Sequence, residues 1–250
     1  MNVFFVGSGP GDIELLTVKA NSLIKKADIL IYPGSLINKE ILKLAKKDTL
    51  LIDSAILNLK EIIEIVINGV KDKKIVVRLA SGEPSIYGAI LEQMLELDKN
   101  DIPYEIVPGI SSIFAAAAKL KIELTAPEVS QTIILTRAEG RTKKPAGEEI
   151  EKISSIKGTH CYFLSIDKIK TILDVYISNG WDINTPVAVA YNVTNKGEQI
   201  IRGSFKNIAS EVEKRNIKNK ALIIIGEVLK RRLQYYSKLY DPTFTHGYRP

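Results

Sequence analysis

Three short segments rich in glycine and small polar residues are the parts of the sequence best suited to bind a ligand. They span residues 7–12, 80–88 and 108–112, and each comes directly after a short apolar run. Glycine lets the backbone turn sharply and come close to a ligand. If the apolar runs are parallel strands, the three segments lie at the carboxyl edge of one sheet, where open α/β folds bind their ligands. We therefore predict one binding site built from three loops.

The first segment differs from the fingerprint of a dinucleotide site. Asp12 stands where that fingerprint has its third glycine, and its negative charge would oppose a pyrophosphate at a helix N-terminus. The acidic residue expected at the end of the second strand is absent, and Tyr32 followed by Pro-Gly-Ser stands in its place. Pro10 also removes one backbone N–H donor that a phosphate would need. The turn is better suited to a neutral or cationic ligand.

Short apolar runs alternate with amphipathic segments through the first half of the chain. The predicted strands lie at 3–6, 29–32, 49–52, 75–79 and 104–107, and the predicted helices at 15–25, 39–46, 59–70 and 87–97. Strands that are apolar on both faces are typical of a parallel sheet covered by helices. The first half is therefore predicted to be an α/β domain.

A second series of strands follows the extended stretch 122–129, where Pro127 disfavours helix in the residue before it. The predicted strands lie at 132–136, 160–164, 187–191, 199–202 and 221–225. Only the short turn 195–198 separates two of them, so this sheet should be mixed. The sequence predicts two α/β domains, residues 1–125 with a mainly parallel sheet and 126–250 with a mixed sheet, and an active site in the crevice between them.

The composition excludes several classes of protein. Among 250 residues, 35 Lys and Arg stand against 29 Asp and Glu, for a net charge of +6, and 45% are hydrophobic, as in a globular protein. With one cysteine and two histidines there is no internal disulfide and no ordinary four-ligand zinc site, so we expect no metal. No run of about 18 apolar residues and no leader pattern is visible, which predicts a cytoplasmic protein without a membrane span.

The remaining candidates for chemistry have ordinary explanations. Basic residues are densest at 214–232, which we interpret as a solvated helix end and tail rather than a nucleic-acid surface. His160 and Cys161 lie within an apolar run and are expected to pack in a core. His246 lies in a polar tail with no visible partner.

The order of the motifs carries a specific resemblance. Gly-Ser-Gly-Pro-Gly-Asp, Tyr-Pro-Gly-Ser, Ser-Gly-Glu-Pro-Ser-Ile-Tyr-Gly, Pro-Gly-Ile-Ser-Ser and, at 136–142, Thr-Arg-Ala-Glu-Gly-Arg-Thr resemble the tetrapyrrole (corrin/porphyrin) methyltransferase family over nearly the whole chain. The resemblance implies S-adenosylmethionine as the methyl donor, a reduced tetrapyrrole as the substrate and a homodimer. The second and the last motif are most similar to those of members that methylate C11 of precorrin-4 or cobalt-precorrin-4 in cobalamin biosynthesis.

The resemblance also implies which residues bind the two ligands. The implied cofactor contacts are Pro10, Asp12, Ser81, Gly82, Glu83, Ile86, Ser111, Ser112, Leu164, Ala190, Ala221 and Leu222. The implied substrate contacts are Tyr32, Ser35, Arg137, Glu139 and Arg141. The carboxylate of Asp12 or Glu83 suits a sulfonium or ammonium group, although Glu83 stands where the family motif often has Asp. Arg137 and Arg141 suit the acetate and propionate groups of a precorrin.

Two alternatives stay open at this point, and no catalytic residue is identified. The first is a sister enzyme that methylates an earlier tetrapyrrole such as uroporphyrinogen III. The second is a nucleotide or nucleic-acid binding module, suggested by the glycine turn and the basic C-terminal stretch.

Overall fold

The chain forms two compact units in a computed structural model that describes residues 2–230, 237, 241–245 and 247–248. The first unit comprises the residues up to Ala115 together with Thr194–Lys196, and the second comprises Ala116–Val193 and the residues from Gly197 onward. His246 and two arginines of the basic C-terminal group, Arg231 and Arg232, lie outside the described residues.

The first unit contains a parallel five-stranded sheet. Its strands are β1 (Val3–Gly7), β2 (Ile29–Tyr32), β3 (Leu50–Asp53), β4 (Val76–Ala80) and β5 (Tyr104–Val107), in the order β3-β2-β4-β1-β5. Every residue of β1 and β4 is buried, which explains why these runs show no alternation of polar and apolar residues. The five predicted strands are confirmed within one or two residues.

Helices cover both faces of this sheet. They are α1 (Val18–Lys26), α2 (Lys39–Leu42), α3 (Leu59–Lys71) and α4 (Leu91–Lys99). Helix α5 (Ser112–Leu120) follows β5, and its residues up to Ala115 belong to the first unit and the others to the second. One face packs Leu30, Val77 and Leu79 with residues of α1 and α2, and the other packs Phe5, Ile31 and Val76 with residues of α3 and α4.

Helix α4 begins later than the sequence predicted. The predicted start at residue 87 is wrong, because Tyr87 has φ of 54° and Ala89 has φ of 49°, both in the left-handed region. A helix cannot continue through such residues. The segment before Leu91 is therefore a part of the second glycine-rich loop.

The second unit contains a mixed sheet, as predicted. Its strands are β6 (Ile133–Arg137), β7 (Thr159–Phe163), β8 (Pro186–Tyr191), β9 (Gln199–Ser204) and β10 (Ala221–Ile225), in the order β6-β7-β10-β8-β9. Strands β6 and β7 are parallel, whereas β10 is antiparallel to both of its neighbours and β8 is antiparallel to β9. The helices are α6 (Ile150–Ser154), α7 (Ile169–Ser178) and α8 (Ile208–Lys214). The predicted domain boundary after residue 125 lies between α5 and β6 and stays a prediction.

A buried aromatic cluster forms the core of the second unit and includes the histidine of β7. His160 is fully buried, with Nδ1 2.6 Å from the Tyr176 hydroxyl and Nε2 3.0 Å from the Ile156 carbonyl oxygen. Burial lowers the pKa of His160 to about 4 and raises the pKa of the neighbouring Cys161 thiol to about 12. Both side chains pack in a core, as the sequence indicated.

The helices of the described part of the chain are short, and the longest, α3, has 13 residues. None of the helices described for this chain combines the length and apolar character needed to cross a membrane.

Candidate active site

The first two glycine-rich loops are joined by backbone hydrogen bonds at the carboxyl edge of the parallel sheet. The Ser8 N–H donates to the Ala80 carbonyl oxygen at 2.8 Å. Gly9 and Gly82 exchange two further bonds, with N···O distances of 3.2 and 3.0 Å. Both glycines have left-handed backbone, with φ of 66° and 65°. The sequence therefore needs glycine at these two positions to connect the loops.

The third loop approaches the other two so closely that a side chain would not fit. A Cβ atom on Gly109 would lie 2.1 Å from the Gly82 carbonyl oxygen, and one on Gly7 would lie 2.5 Å from Gly109 Cα. These are backbone atoms, which cannot rotate away as a flexible side chain can. The prediction that the three loops lie together at this edge is confirmed.

Glu83 links the second loop to the third. One carboxylate oxygen accepts the Ser85 N–H at 3.0 Å and the Ser85 hydroxyl at 2.8 Å, and the other accepts the Gly109 N–H at 2.8 Å. Partial burial opposes ionisation of Glu83, but these bonds outweigh it and hold the pKa of the carboxyl below its usual value. The carboxylate is therefore charged and directed mainly toward the backbone of its own loops.

The first loop is held by residues distant in sequence. The Asp12 carboxylate accepts the Glu14 N–H at 3.0 Å and caps a short 3-10 helix, and the Asp12 N–H donates to the Thr194 hydroxyl at 3.1 Å. The Pro10 carbonyl oxygen accepts a bond of 2.9 Å from the Asn195 side-chain amide. These contacts fix the conformation of the loop.

Two serines at the start of α5 present hydroxyl groups near this junction of loops. Ser111 is only 3% exposed, yet its hydroxyl makes no hydrogen bond to any residue that the structure describes. Ser112 is half-buried. A hydroxyl that is both donor and acceptor and lies beside a glycine-rich backbone fits a small polar ligand.

The other predicted residues of the first unit lie at the same edge. Ile86 is half-buried and Ser81 is exposed, both in the second loop. Tyr32 is the last residue of β2. Ser35 lies in the 3-10 helix that follows, and its side chain is not among those described.

The predicted residues of the second unit lie together at one edge of the mixed sheet. Because β8 and β7 are both antiparallel to β10, the carboxyl ends of β6, β7 and β8 and the amino end of β10 share that edge. This edge holds the predicted cofactor contacts of the second unit, Leu164, Ala190, Ala221 and Leu222. Leu164 is 70% exposed, with φ of 51°, whereas Ala190 and Leu222 are buried and pair directly across β8 and β10.

Arg137, the last residue of β6, and Arg141, in the loop that follows, have different environments. The Arg137 guanidinium donates to the carbonyl oxygens of Ala138, Thr142 and Lys143, each at 3.2 Å, and so braces its own loop. Arg141 is exposed and, within the described part of the chain, makes no hydrogen bond or ion pair. Glu139 is also exposed.

Sequence reasoning missed three residues that support the loops. Asn38 donates to the Gly11 carbonyl oxygen at 2.9 Å, and Asn195 supports Pro10 in the same way. Arg78 was also missed, although a charged residue within the otherwise apolar run 75–80 is a visible signal. In the described part of the chain, no group of three or more His, Cys, Asp and Glu side chains is arranged to hold a metal.

Comparison with known proteins identifies a family for this chain. Residues 2–209 match the family of Tetrapyrrole (Corrin/Porphyrin) Methylases. The cobalt-precorrin-4 C(11)-methyltransferase of Methanocaldococcus jannaschii is 49% identical over 247 residues, covering 99% of this chain and 95% of that protein. The crystal structure of a cobalt precorrin-4 methyltransferase superposes with a TM-score of 0.89 at 37% identity, covering 91% of this chain and 95% of the other.

A more distant structure shares the fold. The uroporphyrin-III C-methyltransferase of Thermus thermophilus, solved with S-adenosylhomocysteine, has a TM-score of 0.77 at 24% identity, covering 95% of this chain and 97% of the other. The family match and the first two similarities extend over most of the sequence, and the family match includes every loop described above. The chain belongs to the tetrapyrrole (corrin/porphyrin) methylase family.

Proposed function

We propose that this chain transfers a methyl group from S-adenosylmethionine to C11 of cobalt-precorrin-4 or precorrin-4, a step of cobalamin biosynthesis. The observation that carries the proposal is the 49% identity, over 99% of the chain, to a protein named for that reaction. The family match and the TM-score of 0.89 to a cobalt precorrin-4 methyltransferase support the same reaction class.

The residues of the first unit fit such a methyl donor. The Ser111 hydroxyl is free to bind within the described residues, and the loop containing Gly82 and Ile86 offers both backbone and apolar contacts. Pro10, Ser81 and Ser112 are proposed as further contacts. In the second unit, Leu164, Ala190, Ala221 and Leu222 stay predicted contacts.

The methyl donor supplies an activated electrophile, so the protein needs no nucleophile of its own and acts mainly by orienting groups and excluding water. The carboxyl groups of Asp12 and Glu83 lie at the edge of the sheet where we place the sulfonium group of the methyl donor. Both carboxylates also bind backbone N–H groups, so they shape the loops as well as their electrostatic potential.

The substrate contacts are proposed from the loop after β6 and the end of β2. Arg141 offers an uncommitted guanidinium for a carboxylate of the tetrapyrrole, since the bidentate fork matches carboxylate geometry. Arg137 positions that loop through its three carbonyl contacts. Glu139, Tyr32 and Ser35 complete the proposed set.

We also propose that the protein is a cytoplasmic homodimer without a nucleic-acid partner. Exposed apolar side chains occur on the edge strand β3, at Leu50 and Leu51, and just after it at Ile56. A second copy covering this edge would remove them from water. Light scattering that reports a monomer at working concentration would contradict the dimer.

The decisive experiment is a methylation assay on the purified chain. With S-adenosylmethionine and cobalt-precorrin-4 or precorrin-4, mass spectrometry should show the gain of a single methyl group. Uroporphyrinogen III, the substrate of the second candidate function, should be methylated much more slowly. No methylation of either precorrin-4 form would refute the proposal, and binding of NAD without binding of S-adenosylhomocysteine would favour a nucleotide-binding module.

A further inference from the structure

Arg78 is a buried charge in the middle of the parallel sheet. It lies on β4 between Phe5 of β1 and Ile31 of β2, and it is 9% exposed. Within the described part of the chain no carboxylate pairs with it. Burial lowers the pKa of Arg78 to about 10, which leaves the guanidinium charged at neutral pH. Burying a charged group in an apolar sheet costs folding free energy, so the contacts that Arg78 makes are informative.

The contacts of Arg78 lead to the second glycine-rich loop. Its Nε donates to the side-chain oxygen of Gln93 at 3.2 Å, and one terminal nitrogen donates to the Leu79 carbonyl oxygen at 2.8 Å. Gln93 lies on α4 and is 5% exposed. Its Nε2 donates to the Ala89 carbonyl oxygen at 2.7 Å. Because arginine can only donate, it sets which end of the Gln93 amide faces Ala89.

Ala89 belongs to a segment that would not hold its conformation by local preference. Tyr87 and Ala89 both have left-handed backbone, which is unfavourable for residues with a Cβ atom. Gly88 packs so closely on the preceding turn that a Cβ atom there would lie 2.1 Å from the Pro84 carbonyl oxygen. Glu83 fastens the front of this segment, and the amide of Gln93 fastens its end.

We propose that Gln93, oriented by Arg78, is a positioning residue of the methyl-donor site that holds the loop containing Ser81, Gly82 and Ile86 in its binding conformation. This inference rests on the proposed function, because it assumes that the loop contacts the donor. A residue that only stabilises α4 would affect unfolding without a separate effect on donor affinity.

Gln93→Glu distinguishes a role of Gln93 in positioning the loop from a role in stabilising α4. The new carboxylate still accepts from Arg78 and adds an ion pair, but it has no hydrogen to donate to the Ala89 carbonyl oxygen. We expect Tm to be unchanged or higher, while Kd for S-adenosylhomocysteine, measured by calorimetry, rises about tenfold. Glu92→Gln is the matched control, since Glu92 is exposed on the same helix, and both values should stay at those of the parent chain.

Hydrogen exchange of the amides at 85–90, measured without ligand, tests the hold of Gln93 on this loop independently of the donor. Exchange in this segment should be faster in Gln93→Glu than in Glu92→Gln. Arg78→Lys keeps the charge but loses the Nε–H group that donates to Gln93, so it should show the same changes to a smaller degree. An unchanged Kd in both variants, or a fall in Tm that parallels the loss of affinity, would overturn the inference. If the parent chain binds no S-adenosylhomocysteine, the proposed function is wrong. Unchanged hydrogen exchange in Gln93→Glu would then also overturn the role of Gln93 in holding the loop.

Discussion

Replacing Glu83 by Gln should loosen the junction of the glycine-rich loops. In the parent chain the Gly109 N–H donates to Glu83 at 2.8 Å. The side-chain oxygen of glutamine can keep the two bonds from Ser85, but its NH₂ group then faces the Gly109 N–H, which loses its acceptor. The loss of a hydrogen bond to a charged acceptor costs about 1.5–3 kcal/mol. At roughly 2–4 °C per kcal/mol for a chain of this size, Tm should fall by roughly 3–12 °C. Scanning calorimetry measures this change, and titration with S-adenosylhomocysteine should show weaker binding.

Ser85→Ala is the internal comparison for Glu83→Gln. It removes only the hydroxyl bond of 2.8 Å and leaves the bond between Glu83 and Gly109. The free energy of unfolding should therefore fall by only about 1 kcal/mol. The pKa of Glu83 is lowered in the folded chain, so the charged carboxylate stabilises the folded state. This stabilisation is present above the ordinary pKa of glutamate and is lost as the pH falls through the pKa of the folded chain. Glu83→Gln should remove this part of the acid sensitivity. Equal stability of Glu83→Gln and the parent chain at neutral pH would refute the role of Glu83 as a link between loops.

Three further predictions concern other parts of the molecule. The pKa of His160 is about 4 in the folded chain against 6.5 ordinarily, so the unfolded state binds the proton more readily and stability falls as the pH drops from 6.5 toward 4. Between pH 7.5 and 5 the free energy of unfolding should fall by roughly 2 kcal/mol through His160, a dependence that urea titrations of His160→Gln should lack. Gly109→Ala places a Cβ atom 2.1 Å from a backbone oxygen, so it should lower Tm and abolish binding of S-adenosylhomocysteine. Gly140→Ala is the control, because its Cβ atom would have no other atom within 4 Å, and it should change neither Tm nor binding. Arg141→Ala should lower kcat/KM for the tetrapyrrole by about one to two decades and leave the Kd of S-adenosylhomocysteine unchanged. Arg141→Lys should give an intermediate kcat/KM. Normal tetrapyrrole kinetics in Arg141→Ala would count against Arg141 as an anchor.

The strands were predictable from the sequence because burial on both faces leaves a simple signal. Runs such as those of β1 and β10 are wholly buried, and their Val and Ile content identifies them without any knowledge of the neighbouring strands. The start of α4 was not predictable in this way. The apolar spacing carries no information about the left-handed backbone of Tyr87 and Ala89, so periodicity alone extends the helix through them.

The location of the candidate site was predictable, whereas the partner of each polar side chain was not. Glycine-rich segments after parallel strands must meet at one edge of the sheet, so the three loops could be placed together from the sequence. Which N–H group a carboxylate meets depends on tertiary distances of a few ångströms. The sequence suggested Glu83 as a partner of a cation, and the structure shows that its oxygens also join two loops.

Arg137 and Arg141 show why residue type is a weak guide to role. Both have a guanidinium group that can bind a carboxylate, and only three residues separate them. The terminal nitrogens of Arg137 donate to three carbonyl oxygens of its own segment, whereas Arg141 is exposed, and this difference is the reason we propose Arg141 as the anchor and Arg137 as a support of the loop. The same reasoning applies to Arg78, whose influence on the first unit passes through Gln93 to Ala89. In each case the acceptors already bonded to an arginine, rather than its charge, decide whether it can bind a ligand or must position a loop.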